Sequence, residues 1–266
     1  MTGPVVVGLD DSPASVAAAW WAAREALSLR LPLLLLQRYG GRVLQRMEAE
    51  LLHRHADLPL TTELVSAPAA RALVELSDRA ALLVLGSRGL GSMASFFPGS
   101  VSLGVLGLAR CPVVAVRADG QTEKAERHEI VVGVREGGPG ADPLLEFAFT
   151  AAQSRGARVR AVRALPLSTL VTHPHTVHTD EGYEVDEQAR LAAAVAPWRE
   201  KFPDVPVTFH VTRGRAAQVR SAASDHSALT VLGRRRHPSS LTWKFGPAAH
   251  AALHHVPCPV AVVPHD

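Results

Sequence analysis

Glycines and serines gather between residues 86 and 102, where they could bind an anion. Gly86 and Gly89 follow an apolar run, and Gly99 and Ser100 precede a segment with helical spacing. Bare backbone N–H groups, a permissive main chain and the positive end of a helix dipole together favour negatively charged ligands. Glycines at strand ends are also common in plain turns, so this cluster alone does not establish a phosphate site.

Asp10 is the acidic residue that could complete such a site. It follows an apolar run typical of a first strand, and Ser12-Pro13 after it is typical of a helix start. In a doubly wound sheet, ligands bind outside the carboxyl ends of the strands where the winding reverses, and there Asp10 would face Gly86. A carboxylate in that place accepts hydrogen bonds from ribose hydroxyls or a base amine. The alternative role of Asp10 is to cap the following helix.

The elements that must position these residues occur twice in the chain. Three landmarks repeat at one common offset: Gly86 with Gly233, Gly99 with Gly246, and Cys111-Pro112 with Cys258-Pro259. The first strands match at a shorter offset, and we place the surplus residues of the second copy at 165–183. A polar connector, 118–128, separates the copies. We therefore predict two domains, residues 1–118 and 129–266.

Each copy alternates short apolar runs with helical patterns, which is typical of an α/β fold. We predict strands at 4–9, 32–37, 61–65, 81–85 and 113–117, and again at 129–134, 159–162, 206–211, 229–232 and 260–263. We predict helices at 14–28, 42–55, 69–77 and 99–109, and again at 144–154, 185–202 and 216–225, with a further helix before the last strand. The strands are continuous apolar runs, as parallel strands covered on both faces should be. Two Rossmann-like domains follow, each a doubly wound parallel sheet of five strands.

Composition excludes several classes of protein. Of 266 residues, 47% are hydrophobic and 20% charged, which is typical of a globular protein and not of a disordered one. The formal net charge of +3 gives no basic stripe for nucleic acid. The longest apolar run, 31–36, cannot cross a bilayer, and nothing before the first strand resembles a leader. We expect a cytoplasmic protein without a membrane or nucleic-acid partner.

The chain lacks the usual signs of catalysis or metal binding. His173, His175 and His178 match no zinc spacing, and Pro174 stands between two of them, so we predict no metal site. We find no Gly-x4-Gly-Lys phosphate loop, no nucleophile elbow and no carboxylate placed as a general base. Any hydrolysis would be slow and incidental.

The landmarks of the first copy together resemble the universal stress protein family in its tandem-domain form. They are the spacing Gly86-x2-Gly89-x9-Gly99-Ser100, a first strand ending Val-Gly-Leu-Asp, and a closing Cys-Pro-Val-Val-Ala-Val. The resemblance implies the strand order 3-2-1-4-5 in each domain and ATP as ligand, with any Mg²⁺ carried by the nucleotide. It assigns Asp10 to the adenosine. It assigns the ribose and phosphates to Gly86, Arg88 and Gly89, and the triphosphate to Gly99, Ser100, Val101 and Ser102.

Several positions depart from the family pattern. Asp11 stands where the family has glycine, and the connection 37–41 lacks the loop that walls the adenine in the family. In the second copy Arg135 replaces the aspartate, Arg236 replaces the second glycine, and Pro247 replaces the serine. A side chain at position 236 and a missing N–H at position 247 both disfavour a phosphate cradle, so we predict ATP in the first domain only. Arg135 and the arginines 234–236 form either a solvated loop or a basic cup for another anion.

These observations indicate a nucleotide-responsive stress protein that binds ATP in its first domain and alters how it meets protein partners. One alternative is a scaffold of the same fold that binds no nucleotide, and a second is a slow ATP hydrolase. The final strands, 113–116 and 260–263, are apolar and lie at predicted sheet edges. We expect them to pair, giving an intrachain pseudo-dimer of the two domains, and leave a homodimer open.

Overall fold

The computed structural model divides into two compact units. It describes residues 2–90, 95–97, 100–118, 128–135, 137–138, 140–165, 180–214, 219, 223–224, 227–236, 256 and 258–266. The first unit comprises Met1–Ala125 and Pro259–Pro264, and the second comprises Glu126–Cys258 and His265–Asp266. The domain limits predicted from the sequence, residues 1–118 and 129–266, remain a prediction. No helix in the described part of the chain combines the length and the apolar character needed to cross a bilayer.

The first unit contains a parallel sheet with helices between its strands. Its elements are β1 (Val5–Leu9), α1 (Pro13–Leu29), β2 (Leu33–Gln37), α2 (Arg42–Arg54), β3 (Leu60–Leu64), α3 (Ala69–Leu76), β4 (Leu82–Leu90), β5 (Ser95–Phe97), α4 (Ser100–Leu108) and β6 (Val113–Arg117). The parallel strands run in the order β3-β2-β1-β4-β6. This is the predicted order 3-2-1-4-5, so the doubly wound prediction is confirmed.

The second unit repeats this winding. Its elements are β7 (Glu129–Gly133), α5 (Asp142–Arg155), β8 (Arg158–Leu165), α6 (Asp180–Lys201), β9 (Val207–Arg213) and β10 (Leu229–Arg235). Parallel pairing gives the order β9-β8-β7-β10. The predicted helix 216–225 falls largely outside the described residues, and so does the helix before the last strand.

The last strand, β11 (Val260–His265), lies mostly within the first unit. It pairs antiparallel with β6, with Val260 opposite Ala115 and Val262 opposite Val113. The expected pairing of the two final apolar strands is therefore confirmed. His265 and Asp266 belong to the second unit, where the Arg236 backbone N–H donates to the His265 carbonyl at 2.7 Å.

Continuous apolar strands and an alanine-rich helix make the core of the first unit. Val5, Val6 and Val7 of β1 are fully buried, and their neighbours in β2 and β4 are buried as well. Helix α1 packs on β1, β4 and β6. Its buried face is formed by Ala18, Ala19, Ala22, Ala23 and Ala26. Because alanine is small, the helix backbone can approach the sheet closely.

Strand β4 is longer than the apolar pattern indicates. The sequence predicts a glycine-bearing loop from Gly86, but the strand continues to Leu90 and pairs antiparallel with β5 as a hairpin. Arg88 lies opposite Phe97 and Gly89 opposite Phe96. Ladder hydrogen bonds to a strand further along the chain extend β4 past its last buried apolar residue, and such pairing is not visible in a local pattern.

Candidate functional site

Asp10, Gly86 and the first turn of α4 lie at the carboxyl edge of the first unit's sheet. Strands β1 and β4 are parallel neighbours, with Gly8 level with Leu85. Continuing that register one for one brings Asp10 level with Ser87, immediately after Gly86. Helix α4 begins at Ser100, after the hairpin that extends β4. The edge thus carries the end of β1, the end of β4 and two helix starts.

Asp10 anchors the start of α1 without being its N-cap. The N-cap is Ser12, whose hydroxyl oxygen accepts a hydrogen bond from the Ser15 N–H at 3.2 Å. The Asp10 carboxylate accepts from the Ser12 N–H at 3.0 Å and from the Ser12 hydroxyl. The buried Ser15 hydroxyl donates to the Asp10 carbonyl. The capping role therefore belongs to Ser12, and exposed Asp10 presents its carboxylate at the edge while bracing the cap.

Gly86 lies where the backbone of α1 meets β4. A Cβ added there would stand 2.5 Å from both the Ala14 carbonyl carbon and the Ser15 nitrogen. Real Cβ atoms do not come so close, so a residue with a side chain would push α1 away from the sheet. Gly86 also pairs with Val116 of β6. The glycine is thus required by the contact between helix and strand, whether or not a ligand approaches.

Helix α4 brings its first turn to the same glycine. The Ser102 hydroxyl is buried and donates to the Gly86 carbonyl at 3.4 Å, while Val101 is 40% exposed. Ser100 is the first residue of the helix, and Gly99 lies outside the described residues. The first N–H groups of a helix have no partner within it, and this first turn holds no acidic residue. Helices α1 and α4 therefore both begin against Gly86.

Arg88 and Gly89 occupy the hairpin that extends β4. Both belong to the antiparallel ladder with β5 and not to an open loop. Their backbones lie two and three residues beyond Gly86 along β4. Their predicted role at the ribose and phosphates stays a prediction.

Sequence reasoning missed two polar residues at this edge. Ser87 is fully buried, and its hydroxyl has no hydrogen-bond partner among the described residues. Buried Gln37 ends β2, accepts from the Leu44 N–H at 3.1 Å and donates to the Asp11 carboxylate at 3.5 Å. A glutamine closing an all-leucine strand was the available signal for the second residue.

The shortened connection after β2 carries an exposed ring. Tyr39 is 64% exposed, and the Arg38 guanidinium lies 4.6 Å from its ring centroid and donates to its hydroxyl at 3.0 Å. Gly40 and Gly41 have φ of +87° and +66°, which lets the chain turn directly into α2. The connection between β2 and α2 is as short as the sequence indicates. It exposes the ring of Tyr39 at the position where the family has a longer loop.

The second unit presents different chemistry at the corresponding edge. Arg135 is exposed, whereas Arg234 on β10 is 6% exposed. Burial lowers the pKa of Arg234, and the nearby positive charge of Arg236 lowers it further. The space beside Gly233 is filled by side chains, because a Cβ there would stand 2.8 Å from the His265 ring and 2.9 Å from Leu144. Gly246 and Pro247 lie outside the described residues.

Among the described residues, the edges of the two sheets hold no cluster of metal ligands, and the Cys111 thiol is buried. Among the residues that the structure describes, no three His, Cys, Asp or Glu side chains group as a metal site would require. The histidines 173, 175 and 178 lie outside those residues. Cys111 is buried, and burial raises the pKa of its thiol to about 12.

Comparison with known proteins agrees with this architecture. The model of the universal stress protein family matches residues 36–117 and 126–264. A universal stress protein of Mycobacterium tuberculosis, Rv2005c, is 29% identical over 97% of this chain and 96% of its own length. Another from that organism, Rv2623, is 30% identical over 87% and 86%. A universal stress protein from Archaeoglobus fulgidus shares the fold, with a TM-score of 0.70 at 15% identity over 98% of this chain and 96% of that one. The chain therefore belongs to the universal stress protein family.

Proposed function

We propose that the first unit binds ATP at the carboxyl edge of its sheet and that occupancy regulates how the protein meets its partners. The observation that carries the proposal is the meeting of two helix starts at Gly86. The first turn of α1 abuts it through Ala14 and Ser15, and the first turn of α4 reaches it through Ser102. Two converging N-terminal dipoles favour a ligand with several negative charges.

The residues at this edge fit a nucleotide. Exposed Asp10 supplies a carboxylate for ribose hydroxyls or a base amine. The N–H groups of Ser100–Ser102, which have no acceptor within the helix, supply donors for phosphates. The buried hydroxyl of Ser87, which has no partner among the described residues, lies between these two groups along the chain. The negative charges of Asp10 and Asp11 oppose a bare triphosphate, so we expect Mg²⁺ to arrive with the nucleotide and offset them.

Binding at two helix starts has a mechanical consequence. A ligand that contacts both α1 and α4 links two helices that each pack on β4 and β6. Occupancy then shifts the population toward the arrangement in which both helices are held. We expect this shift to be the signal read by protein partners in the cytoplasm. The intrachain pseudo-dimer, with or without a homodimer of the whole chain, stays a proposal that rests on the sequence.

A scaffold without nucleotide is the second candidate, and one observation favours it. The Asp10 carboxylate already accepts hydrogen bonds from Ser12, and the α1 backbone already fills the space beside Gly86. Both features stabilise the start of α1 without any ligand. Asp10 and Gly86 can therefore be explained by the stability of the fold, without a bound nucleotide.

Calorimetry of the full chain with Mg-ATP separates the two candidates. We expect one ATP per chain, binding weakened about tenfold by Asp10→Asn through the loss of a charged acceptor, and abolished by Gly89→Arg with the fold retained. The matched control is Arg135→Asn at the corresponding position of the second unit, which should leave ATP affinity unchanged. If no ATP binds at saturating concentration, the nucleotide proposal is refuted and the scaffold candidate remains. If two ATP bind per chain, the restriction of ATP to the first unit is refuted.

A further inference from the structure

Strand β3 is a free edge of the first unit's sheet. It pairs with β2 on one side, and no strand in the described part of the chain pairs with its other side. The carbonyl of Pro59, just before β3, and the N–H of Val65, just after it, both bond to β2. Backbone groups of successive strand residues point to opposite sides. The N–H and C=O groups that face outward therefore belong to every second residue, namely Leu60, Thr62 and Leu64.

This strand is exposed on both faces of the sheet as well as along its edge. Thr61, Thr62 and Glu63 are exposed, and Leu64 is 59% exposed. Gly41 lies beside Leu64 and has no side chain to cover it, since a Cβ there would stand 3.5 Å from Leu64 Cδ1. An exposed edge that carries an apolar side chain is a template for pairing with another strand.

The other edge strands are less available. Strand β6 is already paired with β11. In β9, only Thr208 and His210 are exposed, and Arg213 donates to the Glu184 carboxylate of α6 at 3.2 Å. Among the described residues, β3 is thus the edge most accessible to a further strand.

The sequence of β3 reads nearly the same in both directions. Leu-Thr-Thr-Glu-Leu has a leucine at each end and a threonine at its centre. Two copies aligned antiparallel about Thr62 place Leu60 opposite Leu64, and Thr61 opposite Glu63. The outward N–H and C=O groups of both strands then bond to each other. Glu63 is the only charged residue of the strand, and in this register it does not face its own counterpart, which would be unfavourable.

We propose that β3 is a homodimer interface, at which a second copy of this chain adds its own β3 in an antiparallel register centred on Thr62. The contact is two-fold symmetric, with the same surface on both copies. Because each copy uses up its free edge, association at this strand stops at two copies. The contact consists of one strand pair with its cross-strand side chains, so the dimer is weak and reversible. The proposal does not depend on nucleotide binding.

Sedimentation equilibrium of the full chain tests both the dimer and its register. At protein concentrations up to about 1 mM we expect a reversible equilibrium between monomer and dimer. Thr61→Lys brings a cation opposite Glu63 of the second copy and should strengthen the dimer about fivefold. Thr61→Glu brings like charges together and should weaken it about tenfold. Both positions are exposed, so these variants should fold.

Two further variants complete this test. Thr61→Glu combined with Glu63→Lys places opposite charges across the interface again and should restore the dimer. Thr208→Glu puts the same charge on exposed β9 and is the matched control. It should change the dissociation constant less than about twofold.

The centre of the proposed register can be tested with a disulfide. The two Thr62 α-carbons should lie about 5.5 Å apart, which is within the range that a disulfide spans. Mild oxidation should therefore convert Thr62→Cys into a covalent dimer and leave the control variant, Thr208→Cys, largely monomeric. The native cysteines, Cys111 and Cys258, are buried and should not react.

Four outcomes would overturn the proposal. The first is a chain that stays monomeric up to about 1 mM. The second is a shift of the dissociation constant in the same direction by Thr61→Lys and Thr61→Glu, or no recovery in the combined variant. The third is an effect of Thr208→Glu as large as that of Thr61→Glu, and the fourth is equal cross-linking of the two cysteine variants.

Discussion

Gly86 has two possible reasons to lack a side chain, and the structure supplies one of them. In the sequence it stands among glycines typical of a phosphate-binding turn. In the structure its α-carbon lies against the backbone of Ala14 and Ser15, at the first turn of α1. Packing alone therefore requires glycine, and a ligand need not be invoked to explain it.

Replacing Gly86 with alanine should destabilise the protein. The new methyl group would stand 2.5 Å from backbone atoms of α1, so the helix must shift, and we expect the free energy of unfolding to fall by about 1–3 kcal/mol. Gly104→Ala within α4 is the control, because the nearest atom there is the Ala70 methyl at 3.9 Å. It should raise the free energy of unfolding by about 0.5–1 kcal/mol. Urea denaturation measures both, and equal effects would contradict the packing argument.

The Cys111 thiol should make stability depend on pH in alkaline solution. Its pKa is raised by burial from 9.0 to about 12. Below pH 9 both folded and unfolded chains hold the proton, and this residue has no effect. Between pH 9 and 12 the unfolded chain releases the proton while the folded chain keeps it, so stability falls by about 1.4 kcal/mol per pH unit. Unfolding free energies from pH 8 to 10.5 should show a shallower slope in Cys111→Ala, and an unchanged slope would refute the assignment.

Part of the candidate site could be predicted from residues alone. Asp10, Gly86 and the start of α4 reach one edge because parallel strands order their carboxyl ends, which follows from the apolar pattern. The cap formed by Ser12, the buried hydroxyl of Ser87 and the burial of Arg234 depend on side-chain packing. A linear pattern records which residues are apolar but not which polar residue is enclosed.

At the scale of elements, α1 and α5 end in the same way with different residues. Both close with a backbone N–H that bonds back to the last turn from the left-handed region. Arg30 holds φ of 55° at the end of α1, and Gly156 holds φ of 61° at the end of α5. The left-handed conformation costs a residue with a Cβ about 1 kcal/mol, so α1 carries a strain that α5 avoids.

Exchanging these two residue types should move stability in opposite directions. Arg30→Gly removes the strain and should raise the free energy of unfolding by about 0.5–1 kcal/mol. Gly156→Arg introduces the same strain at a position where an added Cβ meets no described residue within 4 Å, and should lower the free energy of unfolding by about 1 kcal/mol. Thermal and urea unfolding measure both. A change of the same sign in the two variants would show that side-chain contacts, and not backbone conformation, dominate at these ends.

Most elements could be predicted within a few residues, and several of the differences lie at the ends of strands. Helix α2 and strand β6 begin where the pattern indicates, since apolar periodicity reports burial directly. Strands β4 and β10 both run past their last predicted apolar residue. The end of β4 is set by its hairpin with β5, a pairing that the hydrophobic pattern of the strand itself does not indicate.

At the scale of the whole molecule, the first unit depends on the end of the chain. Val113–Val116 of β6 are buried, and β11 pairs with that strand. An uncovered apolar edge strand is a template for association with another chain. The antiparallel pairing with β11 therefore protects the unit from self-association.

Removing residues 259–266 should make the protein associate. Without β11 the β6 edge is exposed, and we expect sedimentation velocity to show mass that increases with protein concentration. The matched control removes residues 265–266 only, which leaves the pairing of Val260 and Val262 with β6 intact. The control should sediment as the full chain does. Identical behaviour of the two truncations would mean that β11 does not protect this edge.

The origin of β11 also has a consequence for biosynthesis. A ribosome makes the first unit's β1 to β6 early, but the residues that cover β6 emerge after the second unit has been translated. During that interval the valine-rich strand β6 is uncovered in the nascent chain. A chaperone can bind this exposed apolar strand until β11 is synthesised. The first half of the gene therefore cannot encode this unit with its β6 edge covered, because the strand that covers it is encoded at the end of the second half.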